Sequence, residues 1–254
     1  MHGVPRGSTL SRTMVLLVVL ALAGCASPHQ RADAGSTGAT PAAPPTTVAT
    51  TSTTVDPHRS LVATVTGSSI EIFDEPGQAE PARTMPSPRP SGQAQAFLVL
   101  EERGEWLNAL LPVRPNGTTG WIRAADVDLT VHDYKILVEL DAHLITVTNG
   151  EEVVHQEPIG VGRGRTPTPG GLFYTVELYK SLKPAYGPYA YGLSGYSEVL
   201  YDFAGGDGQF GIHGTSDAGG LGHDVSNGCI RMSNAGITEL AKMLPIGVPV
   251  EVRA

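Results

Sequence analysis

From residue 60 onward, apolar and polar positions alternate in short runs with a period of two, which marks strands rather than helices. Leu61 to Thr66, Ile70 to Phe73, Phe97 to Glu102, Trp106 to Leu111 and Gly120 to Ile122 form one series. It is divided by Gly67, Pro76-Gly77, Gly104 and Asn116-Gly117. A second series opens with Tyr134 to Leu140 and Leu144 to Thr148. There Thr148-Asn149-Gly150-Glu151 predicts a type I′ hairpin into Glu152 to Gln156. Leu172 to Leu178 and Val248 to Val252 predict two further strands. One segment has helical spacing: Ile237, Leu240, Ala241 and Leu244 follow a cap at Ser233 or Asn234 and stop at Pro245 and Gly247. The pattern predicts an all-β (mainly β) chain with one short helix.

Three stretches fall outside this pattern. Lys180 to Gly195 sets Tyr186, Tyr189 and Tyr191 among glycines and prolines, and predicts a lid over a cleft, with tyrosines packed on the sheet as the alternative. Ala26 to Arg59 is Thr, Pro, Ala, Ser and Gly with hardly an apolar side chain larger than valine. It cannot offset its ordering entropy and predicts a disordered tether. Met1 to Gly24 has Arg6 and Arg12 before the apolar run Met14 to Leu22, too short to span a membrane, and predicts an export signal.

Composition narrows the function. The net charge of −8 becomes more negative once Arg6 and Arg12 are removed with the signal, which argues against nucleic acid as a partner. The 31 glycines and 20 prolines require many turns. Only two cysteines are present, Cys25 and Cys229. If the first is consumed by export processing, Cys229 is left as an unpaired thiol in an exported protein, a candidate reactive group.

Chemistry concentrates between His213 and Met232, where five glycines surround Cys229, His213 and His223. A thiol is useful as a nucleophile only when a neighbouring imidazole or aligned amides favour its thiolate. His213, in Gly-Ile-His-Gly, has the setting of a buried strand end that fixes an imidazole, whereas His223 lies on a softer loop. His213 is therefore the expected base and His223 the reserve. The Gly228 and Cys229 amides are the expected oxyanion donors. Zinc binding by His213, His223 and Cys229 is a rival, weakened because the chain has neither His-Glu-x-x-His nor a paired-cysteine pattern. No metal or other cofactor is expected.

His213-Gly214-Thr215, followed after a glycine-rich gap by Ser226-Asn227-Gly228-Cys229-Ile230-Arg231-Met232, resembles the signature of the L,D-transpeptidase (YkuD-type) catalytic domain. Thr166-Pro167-Thr168-Pro169-Gly170-Gly171 is similar to the same family's segment before a central strand. The resemblance covers roughly residues 133 to 253. It implies a β-sandwich, Cys229 as nucleophile, His213 as proton donor and acceptor, the Gly214 carbonyl as the group orienting that imidazole, and Arg231 near the substrate's charges. Ser226, Asn227, Tyr186, Tyr191 and His223 are the further candidates for substrate contact. Asn227 departs from the family, which usually has histidine before the Gly-Cys pair. The activity implied is acyl transfer between peptidoglycan stem peptides: Cys229 attacks the carbonyl of a tetrapeptide donor's third residue, expected to be a diamino acid such as meso-diaminopimelate, and a side-chain amine of a second stem peptide's diamino acid takes the acyl group, giving 3→3 cross-links through a cysteinyl acyl-enzyme. Hydrolysis, or wall binding without catalysis, are the alternatives.

Two further resemblances complete the organisation. Leu22-Ala23-Gly24-Cys25 resembles a bacterial lipobox, which implies lipidation of Cys25 and a membrane anchor outside the cell. Arg103-Gly104-Glu105-Trp106-Leu107 with Gly120-Trp121-Ile122 resembles a bacterial SH3-like module, as wall binder, spacer or scaffold. The expected layout is a signal peptide over 1–24, lipidated cysteine and tether over 25–59, an SH3-like module over 60–130 and the catalytic domain over 131–254.

Overall fold

The computed structural model describes residues 59–202 and 206–254, so the expected signal peptide, Cys25 and nearly all of the tether lie outside the described residues. Seven strands precede residue 133: β1 (Ser60–Val65), β2 (Ser69–Ile72), β3 (Arg83–Pro86), β4 (Ala96–Arg103), β5 (Trp106–Leu110), β6 (Thr119–Arg123) and β7 (Val127–His132). Five of them form a sheet in the order β6-β5-β4-β1-β7, and β2 pairs with β3. Alternation drives their burial: Ala63, Val65, Phe97, Val99, Leu107, Ala109 and Ile122 point into one apolar cluster with Ile70 and Ile72. Trp121 is buried in this part of the chain, and Arg103 lies 4.5 Å over its ring.

The rest of the chain adds β8 (Tyr134–Glu139), β9 (Leu144–Asn149), β10 (Glu152–Pro158), β11 (Val161–Gly162), β12 (Gly171–Lys180), β13 (Tyr189–Tyr196), β14 (Gln209–His213), β15 (Asp224–Ser226), β16 (Ile230–Arg231), helix α1 (Asn234–Met243) and β17 (Pro249–Arg253). Eight of these strands run in the order β10-β9-β8-β17-β12-β13-β14-β16. β12 joins two halves: Gly171 to Tyr174 pair with β17, and Thr175 to Lys180 pair with β13, with an irregular register between Thr175 and Glu177. The core collects Ile136, Val138, Ile145 and Val147 from one half, Tyr191, Leu193, Phe210, Ile212 and Ile230 from the other, and Ile237 and Leu240 from α1. The described residues are all-β with one α-helix.

Two expectations need correction. The 149–152 hairpin forms, but only Gly150 takes a positive φ (60°) and Glu151 does not, so glycine at the first central position gives the II′ pattern instead of I′. Half of the expected lid is sheet: Tyr189 to Tyr196 form β13, hydrogen-bonded between β12 and β14, while residues 181–188, with a short turn at Pro184–Tyr186, remain irregular. Gly195 is needed inside that strand because a Cβ there would overlap the rings of Phe173 and Phe210.

The five-stranded sheet braces β12 and β13. Leu98 and Leu110 pack with Tyr174 and Val176 as a separate buried cluster, and the Tyr174 hydroxyl donates to the Ala96 carbonyl. The Gln93 side chain treats β12 as a strand partner, accepting from the Leu178 amide and donating to its carbonyl. Glu177, one residue away, lines the cleft described next.

Candidate active site

Strand register places the reactive groups. β12 sets Glu177 opposite Gly192 and Tyr179 opposite Ala190; β13 sets Gly192 opposite Gly211 and Ala190 opposite His213. β14 then pairs in parallel with β16, His213 opposite Arg231, which leaves Cys229 beside Gly211. Because side chains alternate between faces, Ile212 and Ile230 enter the core while His213 and Cys229 emerge on the other side. There they line one cavity of about 450 Å³ together with Glu177, Tyr179, Tyr186 and Gly211.

His213 is 5% exposed, and its Nδ1 lies 2.6 Å from the Gly214 carbonyl oxygen. A carbonyl can only accept, so Nδ1 carries the proton and Nε2 is left as the basic nitrogen. Burial, reinforced by the Arg231 charge and opposed by the Gly214 bond, lowers the imidazole to about 4. Burial also raises the Cys229 thiol above its ordinary value, although the Gly211 amide and Arg231 pull the other way. The resting pair is therefore a neutral thiol and a neutral imidazole. Tyr186 covers the histidine with ring centroids 4.5 Å apart. Its own hydroxyl is raised by burial first and by Cys229 second.

The cysteine loop is held from within. Ser226 Oγ donates to the Cys229 carbonyl at 2.6 Å and accepts from the Gly228 amide at 3.0 Å. Thr166 Oγ1 donates to the Ser226 carbonyl, and Thr168 Oγ1 accepts from the Gly162 amide, so the Thr-Pro-Thr-Pro segment props the loop from behind. Gly228 needs its positive φ of 116° to turn the chain there.

These contacts correct several expectations. The Gly228 amide is already bonded to Ser226 and is not free for an oxyanion; among the described residues the Cys229 amide has no such partner. Ser226 is buried and spends its hydroxyl inside the loop instead of on substrate. Asn227 Oδ1 accepts from Arg163 Nη2 at 3.1 Å and does not line the cavity. Tyr191 is buried with its hydroxyl shared between the Leu240 and Leu244 carbonyls of the helix, so it is a pillar of the core whose ring only borders the cleft. His223 is exposed on its turn, outside the cavity lining. Among the described residues no three His, Cys, Asp or Glu side chains are grouped to hold a metal ion. Arg231 is partly buried, its Nε has no hydrogen-bond partner, and its charge acts on Cys229, His213 and Tyr186. Sequence reading overlooked Glu177, Tyr179 and Gly211. An acid and a tyrosine two positions apart in Thr175-Val176-Glu177-Leu178-Tyr179 are the trace such a row leaves.

Residues 133–252 match the family model of the L,D-transpeptidase catalytic domain, YkuD. The YkuD protein of Bacillus subtilis is 34% identical over 119 residues, 47% of this chain and 65% of that protein. Its counterpart in Bacillus licheniformis is 33% identical over the same shares. The aligned segment thus spans about two-thirds of the length of these relatives. Among solved structures, an L,D-transpeptidase from Mycobacterium smegmatis superposes with a TM-score of 0.41 at 18% identity, covering 59% of this chain and 90% of that one. The whole cleft, with its thiol and tautomer-fixed imidazole, thus lies inside the one continuous segment, residues 133–252, that matches the L,D-transpeptidase catalytic domain, YkuD.

Proposed function

We propose that the chain is a cysteine-dependent L,D-transpeptidase that joins peptidoglycan stem peptides through 3→3 cross-links. The observation that carries this reading is the pairing, in one cleft, of Cys229 with an imidazole whose Nδ1 proton is committed to Gly214. Because both groups rest neutral, His213 Nε2 takes the thiol proton as sulphur attacks the carbonyl of the donor's third residue, and charge develops only along the reaction. The resulting oxyanion is met by the Cys229 amide and by the nearby Arg231 charge. Collapse breaks the peptide bond, the terminal D-alanine leaves with the proton held on His213, and a thioester remains. An amine of a second stem peptide then attacks. It passes a proton to His213, forms the new amide and releases the thiolate, which recovers that proton.

Donor tetrapeptide mixed with purified protein should give a mass increase on Cys229 and, with acceptor, a cross-linked dimer. Both should vanish in Cys229→Ala and fall by at least a hundredfold in His213→Ala. Full activity in Cys229→Ala would overturn the reading, and a hydrolysed tripeptide as sole product would replace it with a carboxypeptidase.

Placement outside the cell on a lipid anchor rests on Leu22-Ala23-Gly24-Cys25. A Cys25→Ala chain should leave the membrane fraction, and its retention there would refute the anchor.

A further inference from the structure

One row of the sheet crosses the cleft from Cys229 to Glu177, and both intervening positions, Gly211 and Gly192, are glycine. With no side chains on those two strands, the row is a bare backbone track. At about 4.8 Å per strand it spans roughly 14 Å between its ends. The Glu177 carboxylate folds back over the track, because a Cβ on Gly192 would lie 2.9 Å from its Oε1. The carboxylate therefore stands about two strand spacings, roughly 10 Å, from the strand of the nucleophile.

This carboxylate is poorly satisfied. Its side chain is 14% exposed, its nearest cation is Arg89 Nε at 3.9 Å, and among the described residues it accepts no hydrogen bond. The same Arg89 Nε has no hydrogen-bond partner, while its Nη1 donates to Gln95 Oε1 at 3.2 Å, so the guanidinium is held by Gln95 and not by the carboxylate. Its oxygens open onto the cleft, so the donors that the protein does not provide can come from whatever occupies it. Lys180 and Lys183 line the same cavity, so its lining carries both signs of charge.

We propose that Glu177 is a specificity-determining residue that accepts the side-chain ammonium of the donor's third residue, the diamino acid whose carbonyl Cys229 attacks. The proposal rests on the stem-peptide reading above. When the carbonyl is at sulphur, an extended diamino side chain lying along the glycine track brings its amine roughly 6–7 Å further on, to the carboxylate. Ammonium then supplies the charge-assisted hydrogen bonds that the protein leaves unmade.

The test uses the full chain with Cys229→Ala as a binding trap and two tetrapeptides identical but for acetylation of the third residue's side-chain amine. Calorimetry should show the free-amine peptide binding at least tenfold more tightly. Glu177→Gln in the trap should abolish that preference while leaving affinity for the acetylated peptide within about twofold. Gly192→Ala, which displaces the carboxylate, should have the same effect. Equal affinity of the trap for both peptides, or a preference that survives Glu177→Gln, overturns the assignment. Discrimination by the trap together with no adduct on wild-type Cys229 would instead refute acyl transfer and leave the assignment standing.

Discussion

His213 holds its Nδ1 2.6 Å from the carbonyl oxygen of Gly214, the next residue in the chain, and this one bond fixes which nitrogen can serve Cys229. Burial meanwhile keeps the ring neutral down to about pH 4, against an ordinary value of 6.5. The acid limb of kcat/KM for donor acylation should therefore fall near pH 4. Iodoacetamide labelling of Cys229 should keep rising through the alkaline range, because burial raises the thiol. A limb near 6.5 would show that the imidazole is solvated and the pair pre-ionised.

The same lowering has a stability consequence. Above pH 6.5 both native and unfolded His213 are neutral and the group contributes nothing against folding. As pH falls from 6.5 towards 4 the unfolded chain binds a proton that the native state refuses, so up to about 3 kcal/mol of stability is lost in that window. Urea denaturation at pH 7 and pH 4.5 should show this loss reduced in His213→Asn, which has no proton to bind. An equal loss in both proteins would place the acid sensitivity elsewhere.

Ser226→Ala should damage catalysis without touching the cleft. It leaves the Gly228 amide and the Cys229 carbonyl without partners inside the protein, at about 1–3 kcal/mol. The freed carbonyl and amide flank the nucleophile, so kcat should drop by tenfold or more while KM changes little. Thermal denaturation and steady-state kinetics read the two effects separately, and an unaltered kcat would mean that the loop keeps its shape without the hydroxyl.

What was legible in the chain follows from how local each signal is. The cysteine loop and helix α1 declare themselves in consecutive residues, through glycine density and a Ser cap before a 3.6-residue period. β13 did not, because Gly192 and Gly195 read as loop. Their reason is tertiary: Gly195 gives way to Phe173 and Phe210, and Gly192 to Glu177. Tyr191 likewise looked like a lid residue because nothing near it in sequence shows that its hydroxyl meets the helix 49 residues away. The Gly228 amide was misassigned for the opposite reason, a bond only two residues long. Spacing alone does not show whether a neighbouring serine turns inward or outward.

The helix start should be sensitive to both residues that hold it. Ser233 Oγ accepts from the Gly236 amide at 2.9 Å, and Glu157 accepts from the Ser233 amide and hydroxyl at 2.8 and 2.7 Å. Ser233→Ala should cost about 1–2 kcal/mol. Glu157→Gln, which keeps one acceptor oxygen, replaces the other with a donor and loses the charge at the helix N-terminus, should cost a similar amount, about 1–2 kcal/mol. Chemical denaturation measures both, and a larger loss in Glu157→Gln would mean that charge outweighs the cap.

The first sheet also holds the connection that leads into the strand of His213. Arg114, on the turn between β5 and β6, shares Nη2 among the carbonyls of Ser197, Leu200 and Asp207, each 3.0 Å away. Its guanidinium also stacks over Tyr196 and Tyr201 at 4.6 and 4.7 Å. Asn116 adds a reciprocal pair with the Tyr196 backbone. These contacts grip both ends of the connection from β13 to β14, the strand that ends in His213. All three bonds come from one nitrogen, so lysine, with three donors on its Nζ, could serve the same carbonyls but cannot stack as a plane on the two rings. Arg114→Ala should therefore lose about 2–4 kcal/mol and become open to proteolysis between residues 197 and 208, with Arg114→Lys falling between it and the wild type. Because β14 is anchored on its other side by β16, acylation of Cys229 at low temperature should persist in both variants. Lysine restoring full wild-type protease resistance would mean that the donors alone, without the stacking, hold this connection.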